Sequence, residues 1–136
     1  MPRYFPIDAG VSFDCSQSDL LAIKWGTKGL SADFILPGVE SRTLRVHFKG
    51  ATIVRLLDEM PLSTEQQSTK NEGLVPRHFA YRVEGSTFAD AQSEVWKEIH
   101  RPVCHYEFIT GWGCMDVVSG TEPTFEVVDV RGRTSA

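Results

Sequence analysis

The chain has 136 residues, of which 41% are apolar and 24% charged, a balance typical of globular proteins. A chain of this length suits one hydrophobic core, so we expect a single domain over residues 1–136. No run approaches the roughly 20 apolar residues that cross a bilayer, and the N-terminus lacks a secretory signal. The net charge of −4 argues against nucleic-acid binding, which needs a basic face. We therefore expect a cytoplasmic protein that binds neither nucleic acid nor membrane.

The first half of the chain contains four predicted strands. Two short ones, residues 20–25 and 32–36, each end at a turn residue. In residues 42–48 apolar and polar side chains alternate with a period of two, which predicts a strand with one buried face. Residues 52–57 follow the Lys49-Gly50 turn, so this pattern predicts that the third and fourth strands form a hairpin.

Residues 61–77 show almost no hydrophobic periodicity and are rich in Ser, Thr, Glu and Gln. A loop of this length inside a small domain is usually functional or disordered, and this composition favours a mobile surface loop. The C-terminal residues 131–136 have the composition of a frayed tail.

A single amphipathic helix is predicted over residues 88–99, because the hydrophobic period changes there from two to 3.6. Thr87 is the expected N-cap, and Arg101-Pro102 is the expected stop. Phe88, Val95 and Trp96 should pack this helix against a sheet.

The second half also contains four predicted strands. Residues 105–110 and 114–119 flank Gly111-Trp112-Gly113 and predict a second hairpin, with Trp112 near its tip. Residues 78–84 and 124–130 are weaker strand predictions. Together these elements predict an α+β fold that is mainly antiparallel β, as a curved sheet, sandwich or partial barrel.

The densest group of possible metal ligands is His100, Cys104, His105 and Cys114. Structural zinc sites use close pairs of Cys or His that converge on one point. The spacing here fits that pattern poorly, and the adjacent Cys104 and His105 should point to opposite faces of a strand. We therefore expect no metal site and no cofactor.

The chain has no strong signature of catalysis. It lacks the G-x-S-x-G elbow of serine hydrolases and a phosphate-binding glycine loop. Cys104 and His105 are adjacent in sequence, whereas a catalytic pair must meet in space. An interior pocket using Cys104, His105 and Asp116 remains an alternative, which would make the chain a ligand-binding barrel or enzyme.

Acidic and aromatic side chains are the candidates for partner binding. Asp58 and Glu59 follow the fourth predicted strand, while Glu65 and Glu72 lie in the 61–77 loop. Trp112 is flanked by glycines, and tryptophan is enriched at binding hot spots. Acidic groups attract a basic partner, so these residues predict a protein interface.

Residues 42–59, followed by His-Tyr-Glu-Phe-Ile-Thr at 105–110 and Cys-Met-Asp-Val-Val at 114–118, resemble small β-rich bacterial immunity-type proteins. Such proteins are encoded beside toxins and neutralise them. The resemblance covers about half of the chain and contains no shared site residues. It implies a small acidic inhibitor without catalysis.

The resulting functional hypothesis is a non-enzymatic module that binds a protein, most plausibly an immunity-like inhibitor of a basic toxin. Two alternatives belong to other classes: the interior-pocket protein described above, and a structural or assembly subunit. A structural subunit would show an exposed apolar sheet edge and a stable homo-oligomer in solution. The residues themselves do not indicate the oligomeric state.

Overall fold

The fold was analysed in a computed structural model, and the structure describes residues 2–60 and 72–129. Strands dominate these residues, and two short α-helices follow the sixth strand. The elements are β1 (Arg3–Pro6), a 3-10 helix (Cys15–Gln17), β2 (Leu20–Gly26), β3 (Gly29–Ile35), β4 (Arg42–Lys49), β5 (Thr52–Asp58), β6 (Ala80–Glu84), α1 (Thr87–Asp90), α2 (Glu94–His100), β7 (Cys104–Phe108), β8 (Gly113–Ser119) and β9 (Thr124–Asp129). Within the described part of the chain, no helix has the length and apolarity needed to span a membrane.

The strands form two antiparallel sheets. One has the order β1-β6-β7-β8-β5, and the other has the order β2-β3-β4-β9. Every neighbouring pair of strands runs antiparallel. The predicted α+β class with mainly antiparallel strands is therefore confirmed, and its form is two layers facing each other across one core.

The predicted hairpin between β4 and β5 is wrong, although both strands exist. β4 pairs with β3 and β9, whereas β5 pairs with β8 in the other sheet. Gly50, at a φ of 79°, turns the chain from one layer to the other. The crossing therefore directs the inward faces of both strands towards one core.

The second predicted hairpin is confirmed. β7 and β8 are paired from Cys104↔Ser119 to Phe108↔Met115. The four weaker strands also exist, with shifted ends. The sequence analysis missed β1, which is only four residues long and ends at a proline.

Aromatic rings from both layers meet at the centre of the core. Phe108 of β7 is fully buried, and its ring centroid lies 6.2 Å from Phe34, 6.1 Å from Phe48 and 6.3 Å from Phe125 of the facing sheet. Phe79, just before β6, lies 5.5 Å from Phe108. Such ring pairs add to the free energy gained by burying their area.

The predicted single helix over residues 88–99 is two short helices. Ser86, not Thr87, caps α1 by accepting a hydrogen bond from the Ala89 amide, and Ser93 caps α2 in the same way. The Gln92 side chain donates to the Phe88 carbonyl at the break. Two serine caps within seven positions thus compete successfully with one continuous helix.

The predicted packing of the helix is only partly observed. Phe88 and Trp96 are half-buried, but Val95 and Ile99 are each 71% exposed. The break rotates α2 out of register with α1, so the apolar stripe of the sequence does not face one surface. The predicted stop is confirmed, since α2 ends at His100.

Part of the predicted 61–77 loop is anchored to the first sheet. The Tyr4 amide donates to the Glu72 carbonyl at 2.6 Å, and the Tyr81 hydroxyl donates to the Val75 carbonyl at 2.9 Å. Residues 61–71 and the predicted tail, residues 131–136, lie outside the described residues.

Candidate functional site

Three of the five predicted partner-binding residues lie together. Asp58 ends β5 opposite Gly113 at the start of β8, and the Glu59 amide donates to the Trp112 carbonyl at 2.7 Å. Glu72 is not part of this group: it pairs with Arg3 of β1, which is at the opposite edge of the five-stranded sheet. Glu65 lies outside the described residues.

The edge strands β2 and β5, one from each sheet, lie along the same side of the sandwich. The Trp25 indole at the end of β2 donates to the carbonyl and hydroxyl oxygens of Thr52 at the start of β5. Asp19, just before β2, accepts from the Gly113 amide at 2.8 Å, next to the end of β5. The two strands therefore run side by side in opposite directions.

Apolar side chains on these two strands point between the sheets but remain exposed. Ile23 and Trp25 lie opposite the buried Ala32 and Leu30, so they share the inward face of the second sheet. Trp25 is 59% exposed, and Leu56, which is on the inward face of β5, is 49% exposed. This side of the sandwich is therefore not closed by side chains of its own core.

We call this surface the open edge and define it by Ile23, Trp25, Leu56, Asp58, Glu59 and Trp112. Leu56, Asp58 and Trp112 line one depression of about 390 Å³. Trp112 is 56% exposed. Large aromatic and aliphatic groups around a depression are the usual anchor points of protein interfaces.

Negative charge lies at one end of the open edge. Asp58 is exposed beside the half-buried Glu59 and Asp19. Lys24 of β2 points to the opposite face of its sheet from Trp25, since it pairs with Ser31 and not with a core residue. The open edge thus combines an apolar strip with an acidic end.

A buried polar network lies on the other face of the five-stranded sheet. His105 of β7 is 4% exposed, and its Nε2 lies 2.7 Å from Asp116 Oδ1 of β8. Because an ionised carboxylate can only accept, Nε2 donates to Asp116, and Nδ1 is left to face Ser86 Oγ at 2.7 Å. The network therefore joins two strands to the N-cap of α1.

The order Ser86, His105 and Asp116 has the connectivity of a hydrolase triad. However, Ser86 is only 6% exposed, and its oxygen also caps α1 by accepting from the Ala89 amide. A nucleophile must be open to a substrate and close to oxyanion donors. The arrangement of these three residues therefore fits a structural link better than a nucleophilic site.

Arg55 of β5 completes the network. Its Nη2 lies 2.7 Å and its Nε 3.0 Å from Asp116 Oδ2, and its guanidinium stacks 4.5 Å above the Phe88 ring. Burial alone raises the pKa of Asp116, but its contacts with His105, Glu107 and Arg55 outweigh burial and hold that pKa below the usual range. Asp116 is therefore ionised at neutral pH.

His105, Glu107 and Asp116 bring possible ligand atoms within 4.8 Å of one another. This group differs from the predicted one, which contained His100, Cys104 and Cys114 with His105. In addition, Asp116 already has the Arg55 guanidinium as its cation, and both ring nitrogens of His105 have hydrogen-bond partners. The geometry therefore matches an internal ion-pair network.

Of the two cysteines of the predicted metal group, Cys104 lies apart from this network, whereas Cys114 precedes Asp116 by two residues on the same face of β8. Cys104 packs against the main core, on the face of β7 opposite His105, as the alternation of a strand requires. Cys114 is 1% exposed, and burial raises the pKa of its thiol to about 11. His100 ends α2 and lies against Trp96, with their ring centroids 4.5 Å apart.

A separate cleft of about 760 Å³ lies between residues 6–14 and 75–80. Arg77 at its rim has a φ of 66° and lies 3.8 Å from Asp14. Asp14 also accepts hydrogen bonds from Ser16. Cys104, His105 and Asp116 are not among the residues that line this cleft.

Sequence reasoning missed Trp25, Leu56, Arg55 and Ser86, whereas the predicted second hairpin already placed Glu107 across from Asp116. The β-branched and aliphatic residues of 52–57 predicted the strand that carries Leu56, but they could not show that Leu56 lies on an unclosed side of the sandwich. Arg55 looks like a solvent-facing residue of its strand in sequence. Its partner Asp116 is 61 positions away, so no local pattern marks it.

Comparison of the chain with protein-family models, with curated proteins and with solved structures found no match.

Proposed function

We propose that this chain is a non-enzymatic binding module that inhibits a basic protein partner, in the manner of bacterial immunity-type proteins. The observation that carries the proposal is the open edge, where Trp25, Leu56 and Trp112 stay exposed beside an acidic end. Exposed apolar groups that cluster on one side of a protein mark an interaction surface more often than single ones do. In this proposal the protein acts in the cytoplasm and needs no cofactor.

Charge explains why the partner should be basic. The chain has a net charge of −4, and Asp58 and Glu59 lie at the end of the apolar strip. Complementary charge speeds the encounter of two proteins and rejects partners of the wrong sign. The apolar groups then supply most of the affinity, because buried aromatic anchors dominate such interfaces.

The test mixes the purified protein with the purified product of the neighbouring gene and measures binding by calorimetry at two salt concentrations. We expect a complex whose affinity falls as salt rises, because salt screens the charges at the interface rim. Trp112→Ala should raise Kd by at least about tenfold, the size of a typical hot-spot effect. Absence of a salt-sensitive complex would refute the proposal.

Two variants on α2 serve as matched controls. Ile99→Ala truncates an exposed apolar side chain outside the open edge, and Glu98→Lys reverses an exposed charge there. Both should leave Kd unchanged, whereas Asp58→Lys should weaken binding and reduce its dependence on salt. Equal effects of Asp58→Lys and Glu98→Lys would show that net charge alone matters and would remove the open edge from the proposal.

A further inference from the structure

β5 is a regular strand with one unpaired edge. It pairs with β8 over seven residues, from Thr52↔Ser119 to Asp58↔Gly113, without a register shift. In the sheet formed by the described residues β5 is the last strand, and β8 is its only hydrogen-bonded neighbour. Such an edge is a template for another strand unless some feature blocks it.

The direction of its backbone groups follows from two hydrogen bonds. The Glu59 amide donates to Trp112 on the β8 side, and the Thr52 carbonyl accepts from Trp25 on the opposite side. Groups of alternate residues in an antiparallel strand point to the same side. The N–H and C=O groups of Val54, Leu56 and Asp58 therefore point outward from the sheet.

The neighbouring edge strand β2 carries features that hinder strand pairing, and β5 does not. β2 has a register shift between Leu20 and Ala22 and carries Lys24. Bulges and lysines are the usual means by which proteins protect sheet edges. β5 has no bulge, proline or lysine, and Arg55, its one cationic residue, is held by Asp116.

From this geometry we infer that the partner binds by adding an extended strand to the outer edge of β5. This inference rests on the proposed function and specifies its mode of binding. The strand would hydrogen-bond to Val54, Leu56 and Asp58 and insert alternate apolar side chains between the sheets, towards Ile23 and Trp25. Strand addition of this kind takes affinity from the backbone and specificity from alternate side chains.

Charge selects a foreign strand over a second copy of this chain. A symmetric antiparallel pair of β5 strands has its longest overlap when it is centred on Arg55. That register places Thr52 opposite Asp58, so neither copy offers a cation to the carboxylate of the other. Opposite charges directly across from each other stabilise a strand pair. A partner strand with Lys or Arg opposite Asp58 supplies this pair.

The inference is tested by amide hydrogen exchange of the ¹⁵N-labelled protein, alone and mixed with the product of the neighbouring gene. In the free protein the Val54, Leu56 and Asp58 amides should exchange faster than those of Ile53, Arg55 and Leu57, which point to β8. In the complex the three outward amides should slow by at least about tenfold. Slower exchange at alternate residues identifies strand pairing, because burial of side chains alone would not produce that alternation.

A pair of variants at one position separates backbone pairing from side-chain contact. Leu56→Ala keeps the outward amide, whereas Leu56→Pro removes it without removing a bond to β8. Leu56→Pro should therefore weaken binding about tenfold more than Leu56→Ala does. If the β8-facing amides exchange at the same rate in the proline variant, that variant is folded. If the variant does not fold, the exchange experiment on the unsubstituted protein tests strand addition without it.

The possible outcomes are distinct. A complex that forms while the Val54, Leu56 and Asp58 amides exchange as before overturns strand addition and leaves the proposed function standing. The absence of any complex overturns both. A third outcome is that the same amides become more protected in the free protein as the protein concentration rises. That result would show that a second copy binds at β5, and it would overturn the inference of a foreign strand.

Discussion

Asp116 and Arg55 show how one buried charge is stabilised. The Asp116 side chain is 1% exposed and forms a two-point contact with the guanidinium, while Asp33 and Arg45 form a similar pair on the solvent-facing side of the other sheet. Removing one partner of a buried pair leaves the other charge unsatisfied. The sequence does not distinguish the two pairs. Breaking the buried pair should nevertheless lower the free energy of unfolding more than breaking the more exposed one.

We predict that Asp116→Asn lowers the free energy of unfolding by about 3 kcal/mol at pH 7, since it leaves Arg55 and His105 without their anion. Asp33→Asn, the matched control, should cost about 1 kcal/mol or less because its pair is more hydrated. Urea unfolding at pH 7 measures both. Similar losses for the two variants would contradict the buried network described above.

The lowered pKa of Asp116 predicts how this difference depends on pH. A group whose pKa is lower in the folded state stabilises the fold fully above its unfolded pKa of about 3.9, and that contribution is lost as pH falls through the folded value. The difference in free energy of unfolding between the native protein and Asp116→Asn should therefore shrink below about pH 4. A difference that stays constant from pH 7 to pH 2 would contradict a lowered pKa of Asp116.

Among the secondary-structure elements, the broken helix shows that an apolar stripe in the sequence need not pack as one surface. Phe88 of α1 lies under the Arg55 guanidinium and 5.2 Å from the His105 ring, while Val95 of α2 is 71% exposed. Both residues belong to the same apolar stripe in the sequence. The Ser93 cap and the Gln92 side chain end one helix and begin another, so the stripe does not pack as one continuous face.

We predict that Phe88→Ala lowers the free energy of unfolding by about 2 kcal/mol, because it removes ring contacts and the cation–π partner of Arg55. Val95→Ser should change it by less than about 0.5 kcal/mol, as expected for an exposed side chain. Thermal and urea unfolding would detect the difference. Equal losses would instead support one continuous helix packed through both positions.

At the scale of the whole molecule, both sheets depend on one set of aromatic rings. Phe108 contacts Phe34, Phe48 and Phe125 of the facing sheet, so neither layer keeps its core without the other. The predicted single domain stays a prediction of the sequence, and this shared core is the feature through which it can be tested.

We predict that Phe108→Ala lowers the free energy of unfolding by about 4 kcal/mol, through the cavity left at the centre. Val127→Ala in β9, where the side chain is 37% exposed, should cost about 1 kcal/mol or less and serves as the control. Far-UV and near-UV circular dichroism should report one coincident transition in urea. Two separated transitions would show that the sheets fold independently.

Local patterns in the sequence were enough to predict the fold class and the position of most strands. Alternation in residues 42–48 marks one buried face. This period of two is a local property of the sequence, and it does not depend on which layer covers the face. The sequence also placed Asp58, Glu59 and Trp112 among the candidate partner-binding residues, because turn glycines and strand ends are local signals too.

Strand pairing and long-range contacts became visible only in the folded chain. The Gly50 crossing sends β4 and β5 to different sheets, and this crossing leaves β5 at an edge beside β2. The open edge and the Arg55–Asp116 pair both follow from that arrangement. Their contacts join residues 27 and 61 positions apart, respectively, and local periodicity carries no information over such separations.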